Sequence, residues 1–280
     1  MIDFAGRTLI IATKHAKQQV MAPLLEEALG VHCLVITELD TDQLGTFSGE
    51  VEREDDPLTT ARKKCQLAMR LSDCELAVAS EGSFGMHPAT FFCYADEELV
   101  ILVDQKNNLE IATVMISTQT NFNGAEINDK LALLDFAERA NFPSHGLILR
   151  KAKNDHEMVI KGIHTPEKLL YVFDALWEKY GSAYVETDMR AMHNPKRMAV
   201  IKQATRKLVD KVLSRCPNCT APGFGVIAAK PGLPCRLCGL PTQSSLAYIY
   251  RCQQCEFEKE EQYPNQIQTE DPQYCDFCNP

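Results

Sequence analysis

The chain has 280 residues, 45% of them hydrophobic and 24% charged, with a formal net charge of −9. That length allows a principal domain plus an appendage, the composition is that of a soluble globular protein with no apolar run long enough to span a membrane, and the acidic balance argues against a general affinity for nucleic acid. The first seven residues lack the basic stretch and cleavage site of a secretory signal, so a cytoplasmic location is expected.

Arg7 to Thr13 (RTLIIAT) is an apolar run of strand length. From Lys17 to Leu29 apolar residues recur at helical spacing, with Gly30 placed for a left-handed C-terminus, and Val31 to Thr37 reads as a second strand. Strand, helix, strand in so short a span is the mark of a parallel crossover unit. Glu38 to Pro57 is a polar, acidic loop longer than a plain connection needs. A helix is expected from Leu58 to Leu71, its stripe Ala61, Cys65, Ala68 and Met69 buried, with Arg62, Lys63 and Lys64 outward or toward a ligand.

Glu75 to Ala79 then reads as a strand, Ser80 to Gly85 as a turn, and Ala89 to Tyr94, Leu99 to Asp104 and Ile111 to Thr118 as further strands. Asn121 to Ala140 turns helical, and His145 to Lys151 and Met158 to Ile163 return to strand pattern. The expected fold is therefore an α/β domain with a mixed sheet over residues 1–180. A helical connector is expected over 181–215, its main helix running from Pro195 to Leu213.

Three segments converge if the early strands pair in parallel, because such sheets bind ligands at their strand ends. Thr13, Lys14 and Lys17 follow the first strand and offer a hydroxyl, ammonium groups and helix N-terminal amides suited to phosphate. Asp42 and Glu50 in the acidic loop, with Glu81 after the third strand, are hard oxygen ligands for magnesium or manganese. Phosphate with a divalent metal points to a nucleotide, with Glu50 and Glu81 as catalytic candidates and Arg62 as a further phosphate ligand. The segment from Glu186 to Arg197 is dense in hydrogen-bonding groups. Arg190 and Arg197 there are candidates for an oxyanion; the competing reading is a joining turn in which Asp188 pairs an arginine and Asn194 caps a helix.

Thr13-Lys-His-Ala-Lys17, Asp56-Pro-Leu-Thr-Thr-Ala-Arg-Lys-Lys-Cys65 and Asp73-Cys-Glu-Leu-Ala-Val-Ala-Ser-Glu-Gly-Ser-Phe-Gly85 together resemble the inosine/xanthosine triphosphate pyrophosphatase-like superfamily, over about the first hundred residues. The resemblance implies that superfamily's fold and hydrolysis of a nucleoside triphosphate. Over its whole length, through Gly45-Thr-Phe-Ser-Gly-Glu50, the glutamate-glycine segment, Glu186-Thr-Asp-Met-Arg-Ala-Met and Tyr274-Cys-Asp-Phe-Cys-Asn-Pro280, the chain also resembles an uncharacterised bacterial family of unknown function, which implies no activity.

Eight of the twelve cysteines form four C-x-x-C pairs: Cys216/Cys219, Cys235/Cys238, Cys252/Cys255 and Cys275/Cys278. Two thiolates three positions apart face one ion from a single turn, and two such turns complete the tetrahedral sulfur shell that zinc favours. Residues 216–280 are thus read as a small double zinc ribbon holding two structural zinc ions. Sequential pairing needs no crossing of the chain; joining the two inner pairs would strand the outer ones unless they met. Cys33, Cys65, Cys74 and Cys93 read as buried small hydrophobes. The sequence reading is a divalent-metal-dependent hydrolase of a nucleotide phosphoanhydride. Its alternative is a non-catalytic module that binds nucleic acid or protein through the ribbons and the basic helix before them.

Overall fold

A computed structural model of the chain describes residues 2–37, 39, 54–90 and 92–280. Two compact units emerge: Phe4–Val209, and Met1–Asp3 with Asp210–Pro280.

The larger unit opens with β1 (Thr8–Ala12), α1 (Gln18–Leu29), β2 (His32–Leu34), α2 (Pro57–Ser72) and β3 (Leu76–Met86). The signal at Gly30 acts as read: it takes the left-handed conformation at φ 65° and its N–H closes on Glu26 O, ending α1. Asp56 caps α2, its carboxylate accepting from Leu58 N at 2.9 Å and Thr59 N at 3.1 Å, with Pro57 at the first helical position. β1 lies between β2 and β3, parallel to both, so the crossover unit is present.

From β3 the sheet turns antiparallel, through β4 (Tyr94–Asp104) and β5 (Leu109–Ser117), giving a mixed five-stranded sheet ordered β2-β1-β3-β4-β5. The stretch read as a turn at Ser80–Gly85 is strand: β3 and β4 stay in register from Leu76↔Asp104 to Met86↔Tyr94. A full backbone ladder outweighs the turn tendency of serine and glycine. Ala89 to Tyr94 is likewise corrected, since β4 begins only at Tyr94; His87 Nδ1 accepts from Ala89 N and Thr90 N, each at 3.1 Å, and fixes a turn there.

A second, antiparallel sheet follows in the same unit. It is built from β6 (Gly124–Ile127), β7 (Leu147–Arg150), β8 (Val159–Ile163) and β9 (Ala183–Thr187), in the order β6-β9-β7-β8. The region expected to be wholly helical after Asn121 contains β6 before α3 (Lys130–Arg139). The segment read as a helical connector opens with β9, buried between β6 and β7, before α5 (Pro195–Leu213). Both strands are only four or five residues long, too short for periodicity to separate from a helix. α4 (Pro166–Tyr180), capped by Thr165 and ended by Gly181 at φ 65°, and α3 pack on this sheet around Leu133, Phe136, Leu149, Phe173 and Val185. No helix among the described residues is long and apolar enough to cross a membrane.

The smaller unit carries an antiparallel sheet of β10 (Gly225–Pro231), β11 (Ser245–Arg251) and β12 (Glu258–Gln262). Its core is slight: Cys216, Ala221, Phe224 and Cys252, with Tyr250 and Phe257 against them.

Candidate functional site

The eight paired cysteines gather into two groups, Cys216, Cys219, Cys252 and Cys255, and Cys235, Cys238, Cys275 and Cys278, the sulfurs of each within 4.8 Å of one another. Sequential pairing is therefore overturned: the first pair joins the third and the second joins the fourth. β11, paired to both its neighbours, runs from near one group back to the other and imposes this interleaving. A tetrahedral zinc with bonds of about 2.3 Å separates its sulfurs by about 3.8 Å. The Sγ distances are 3.7 Å for Cys216/Cys255, 3.6 Å for Cys219/Cys252, 3.8 Å for Cys235/Cys278 and 3.6 Å for Cys238/Cys275. The thiols fit one zinc per group and are not disulfides.

Each C-x-x-C turn also closes on itself. The N–H groups of Asn218, Leu237 and Gln254 point at Sγ of Cys216, Cys235 and Cys252, each at 3.4 Å. Thr220, Gly239 and Glu256, directly after the second cysteine, take positive φ and return their N–H to the first cysteine's carbonyl. Amides held toward the thiolates stabilise their charge.

In the larger unit the end of β1, against the middle of β3, brings together residues of two of the segments read as converging. Lys17, buried, donates through Nζ to Ser80 O at 3.1 Å and Ser80 Oγ at 2.9 Å. Burial, and then the nearby Arg197, pull its ammonium down to about 8. At the next residue Glu81 forms an ion pair with Lys64 of α2, and both side chains are largely buried. Thr13 is buried beside them in sequence, its Oγ1 accepting from His15 N at 3.2 Å, and Lys14 is exposed. Asp42 and Glu50 lie outside the described residues.

The face of β3 and β4 opposite Glu81, the face of Ser80 and Lys17, holds a second set of charges. Ser80, Gly82 and Phe84 on β3 register against Val100, Glu98 and Asp96 on β4. Glu98 pairs with Arg197 of α5, which also donates to Met189 O and lies over the Phe84 ring at 5.1 Å. Gly82 makes room for that guanidinium: a Cβ there would stand 2.4 Å from Arg197 Nη2. Asp96 is fully buried, and burial followed by the neighbouring Glu98 pushes its carboxyl up to about 8.

The remaining candidates have protein partners. Arg62 is held by Glu110 through two hydrogen bonds of 2.7 and 2.6 Å. Arg190 grips Asp188, bonding through Nε at 3.0 Å and Nη2 at 2.6 Å. Burial raises Asp188, but those bonds prevail and hold its carboxyl below the usual range. Asn194 Oδ1 accepts from Arg197 N at 3.0 Å, and Asn194 N–H bonds Ala191 O. The joining-turn reading of the 186–197 segment thus describes its hydrogen bonds, and Arg197 is a core residue rather than an exposed phosphate ligand.

Lys64, expected outward or toward a ligand, is buried against Glu81, and Asp96 and Glu98 were missed entirely from the sequence. The available signal for the last two was their i, i+2 spacing in a strand whose other half is apolar, which puts both on one face.

A family model described as a domain of unknown function (DUF6671) matches residues 64–280. The chain belongs to the DUF6671 family. The expectation of an uncharacterised family is met. No curated protein matches the chain. The DUF6671 span takes in Lys64, Glu81, Asp96, Glu98, Arg197 and all eight zinc-type cysteines, and begins after Lys17. The likeness to triphosphate pyrophosphatases stands on sequence motifs alone.

Proposed function

We propose that the larger unit of this DUF6671 protein binds a nucleotide through its phosphates and hydrolyses a phosphoanhydride, and that two zinc ions hold the smaller unit together. The observation that carries the first part is that Lys17 and Lys64 bond consecutive residues, Ser80 and Glu81, from the two faces of β3, where the parallel pairing with β1 ends. Parallel strand ends are where α/β sheets take ligands. An ammonium group held in a poorly solvated place, as Lys17 is, attracts phosphate far more strongly than the same charge in water.

Each residue has a part in this reading. Lys17 binds and orients phosphate; Ser80 positions it. Lys64 holds and aims Glu81 through their ion pair, so that Glu81 can accept a proton from attacking water. Magnesium or manganese, when bound, would neutralise phosphate charge and acidify water. Glu81 is the described carboxylate of the predicted metal set.

The test is phosphate and pyrophosphate release from standard and deaminated nucleoside triphosphates with magnesium or manganese. Glu81→Gln should lower turnover by roughly 10²-fold or more, and Lys17→Met should raise KM. Turnover unchanged in Glu81→Gln would remove that residue from the chemistry, and no release by the unaltered protein would overturn the hydrolase reading.

For zinc, the supporting facts are the sulfur spacing and a core too small to stabilise sixty-odd residues unaided. As for a partner, β12 exposes Glu258, Glu260 and Glu261. That edge would repel nucleic acid, which favours a protein over a nucleic acid as any partner of the smaller unit.

A further inference from the structure

Asp96 is 0% exposed, and among the described residues neither of its carboxylate oxygens has a hydrogen-bond partner. Glu98, two positions on and also 0% exposed, has one oxygen bonded to Arg197, while its Oε2 has no partner. Leaving a buried carboxylate without a donor costs several kcal/mol. Folded proteins satisfy such a group with a proton, a water or a cation.

The arrangement favours a cation. Residues i and i+2 of a strand project from one face about 7 Å apart at the backbone, near enough for two carboxylates to meet at one ion. Three oxygens are thus on offer: both of Asp96 and Oε2 of Glu98. Arg197 fixes Glu98 through its other oxygen, the outer-shell restraint that metal carboxylates commonly have. A ligand set made only of oxygen suits a hard divalent cation.

We propose that Asp96 and Glu98 form a divalent-cation site, of the magnesium or manganese class, on the face of β4 that packs toward α5. This site is on the opposite face of the sheet from Glu81. It neighbours Lys17, which bonds Ser80 on this same face, but it uses other residues than Glu81 and needs no nucleotide.

The test uses the full-length, zinc-loaded protein and manganese alone, titrated without nucleotide and followed by the loss of the free-ion paramagnetic resonance signal. One manganese should bind per chain. Asp96→Asn and Glu98→Gln, each checked for native circular dichroism, should weaken that binding at least tenfold, and Glu97→Gln, between them in sequence but on the other face of the strand, should leave it unchanged. If either of the first two variants fails to fold, the other carries the comparison. Absence of manganese binding by the unaltered protein, or binding that survives Asp96→Asn, would overturn the proposal. So would binding lost in Glu97→Gln alone, which would put the ion on the other face. Manganese bound through Asp96 without any triphosphate hydrolysis would uphold this site and sink the hydrolase reading.

Discussion

Arg197, in the first turn of α5, and Glu98, in the middle of β4, form an ion pair in which neither side chain is exposed, although 99 positions separate them in sequence. A pair buried in this way is costly to break and cheap to replace. Removing one partner leaves the other charge stranded without solvent. Arg197→Met should therefore destabilise the protein by about 3–5 kcal/mol. The double variant Arg197→Met/Glu98→Leu should recover part of that loss. Urea denaturation of the zinc-loaded protein measures both, and equal losses in single and double variants would contradict the account.

Gly82 faces the same pair. An added methyl at this position would stand 2.4 Å from Arg197 Nη2 and 2.7 Å from Glu98 Oε1, two atoms locked by each other. Gly82→Ala should cost about 1–3 kcal/mol through overpacking. Gly85→Ala, in the same strand with nothing within 4 Å of the added carbon, should cost far less. A thermal melt of the two variants side by side separates close approach from any general intolerance of alanine in this strand.

The interleaved cysteine groups give a count that sequential pairing cannot. Cys216→Ser/Cys252→Ser alters one group and should leave one zinc per chain, whereas Cys216→Ser/Cys235→Ser alters both and should leave none. Sequential pairing reverses the two results. Metal analysis of the purified variants decides between them. Chelation of both ions should unfold the β10-β11-β12 sheet, since its binding energy is folding energy.

Lys17 makes stability depend on pH in a defined direction. Its ammonium, surrounded by Arg197, Glu98, Lys64 and Glu81, titrates near 8 in the folded protein against an ordinary value of 10.5. Between those values the unfolded chain binds a proton that the folded protein refuses, so stability rises with pH across that window. The penalty is complete below about 8 and gone above 10.5. Relative to Lys17→Met, the unaltered protein should gain about 1 kcal/mol from pH 8 to pH 9. Parallel denaturation curves for the two would refute the buried ammonium.

What the sequence determined by itself was whatever a few adjacent residues can enforce. The four C-x-x-C turns, the Asp56 and Thr165 caps and the left-handed ends at Gly30 and Gly181 all rest on contacts within one or two turns of chain, and the parallel unit of β1 and β2 on a single helical crossover. The meeting of cysteine pairs was different, because any two thiol turns make an equally good half-shell and only the path of β11 selects between partners. Ser80 to Gly85 carries turn-forming residues, yet β4 supplies a ladder along its whole length. Asp96, Glu98 and Arg197 carry the charges usual for a surface, and nothing local says that α5 will cover them. Burial of charge is decided by which element packs on which face, and that is a property of the tertiary structure alone.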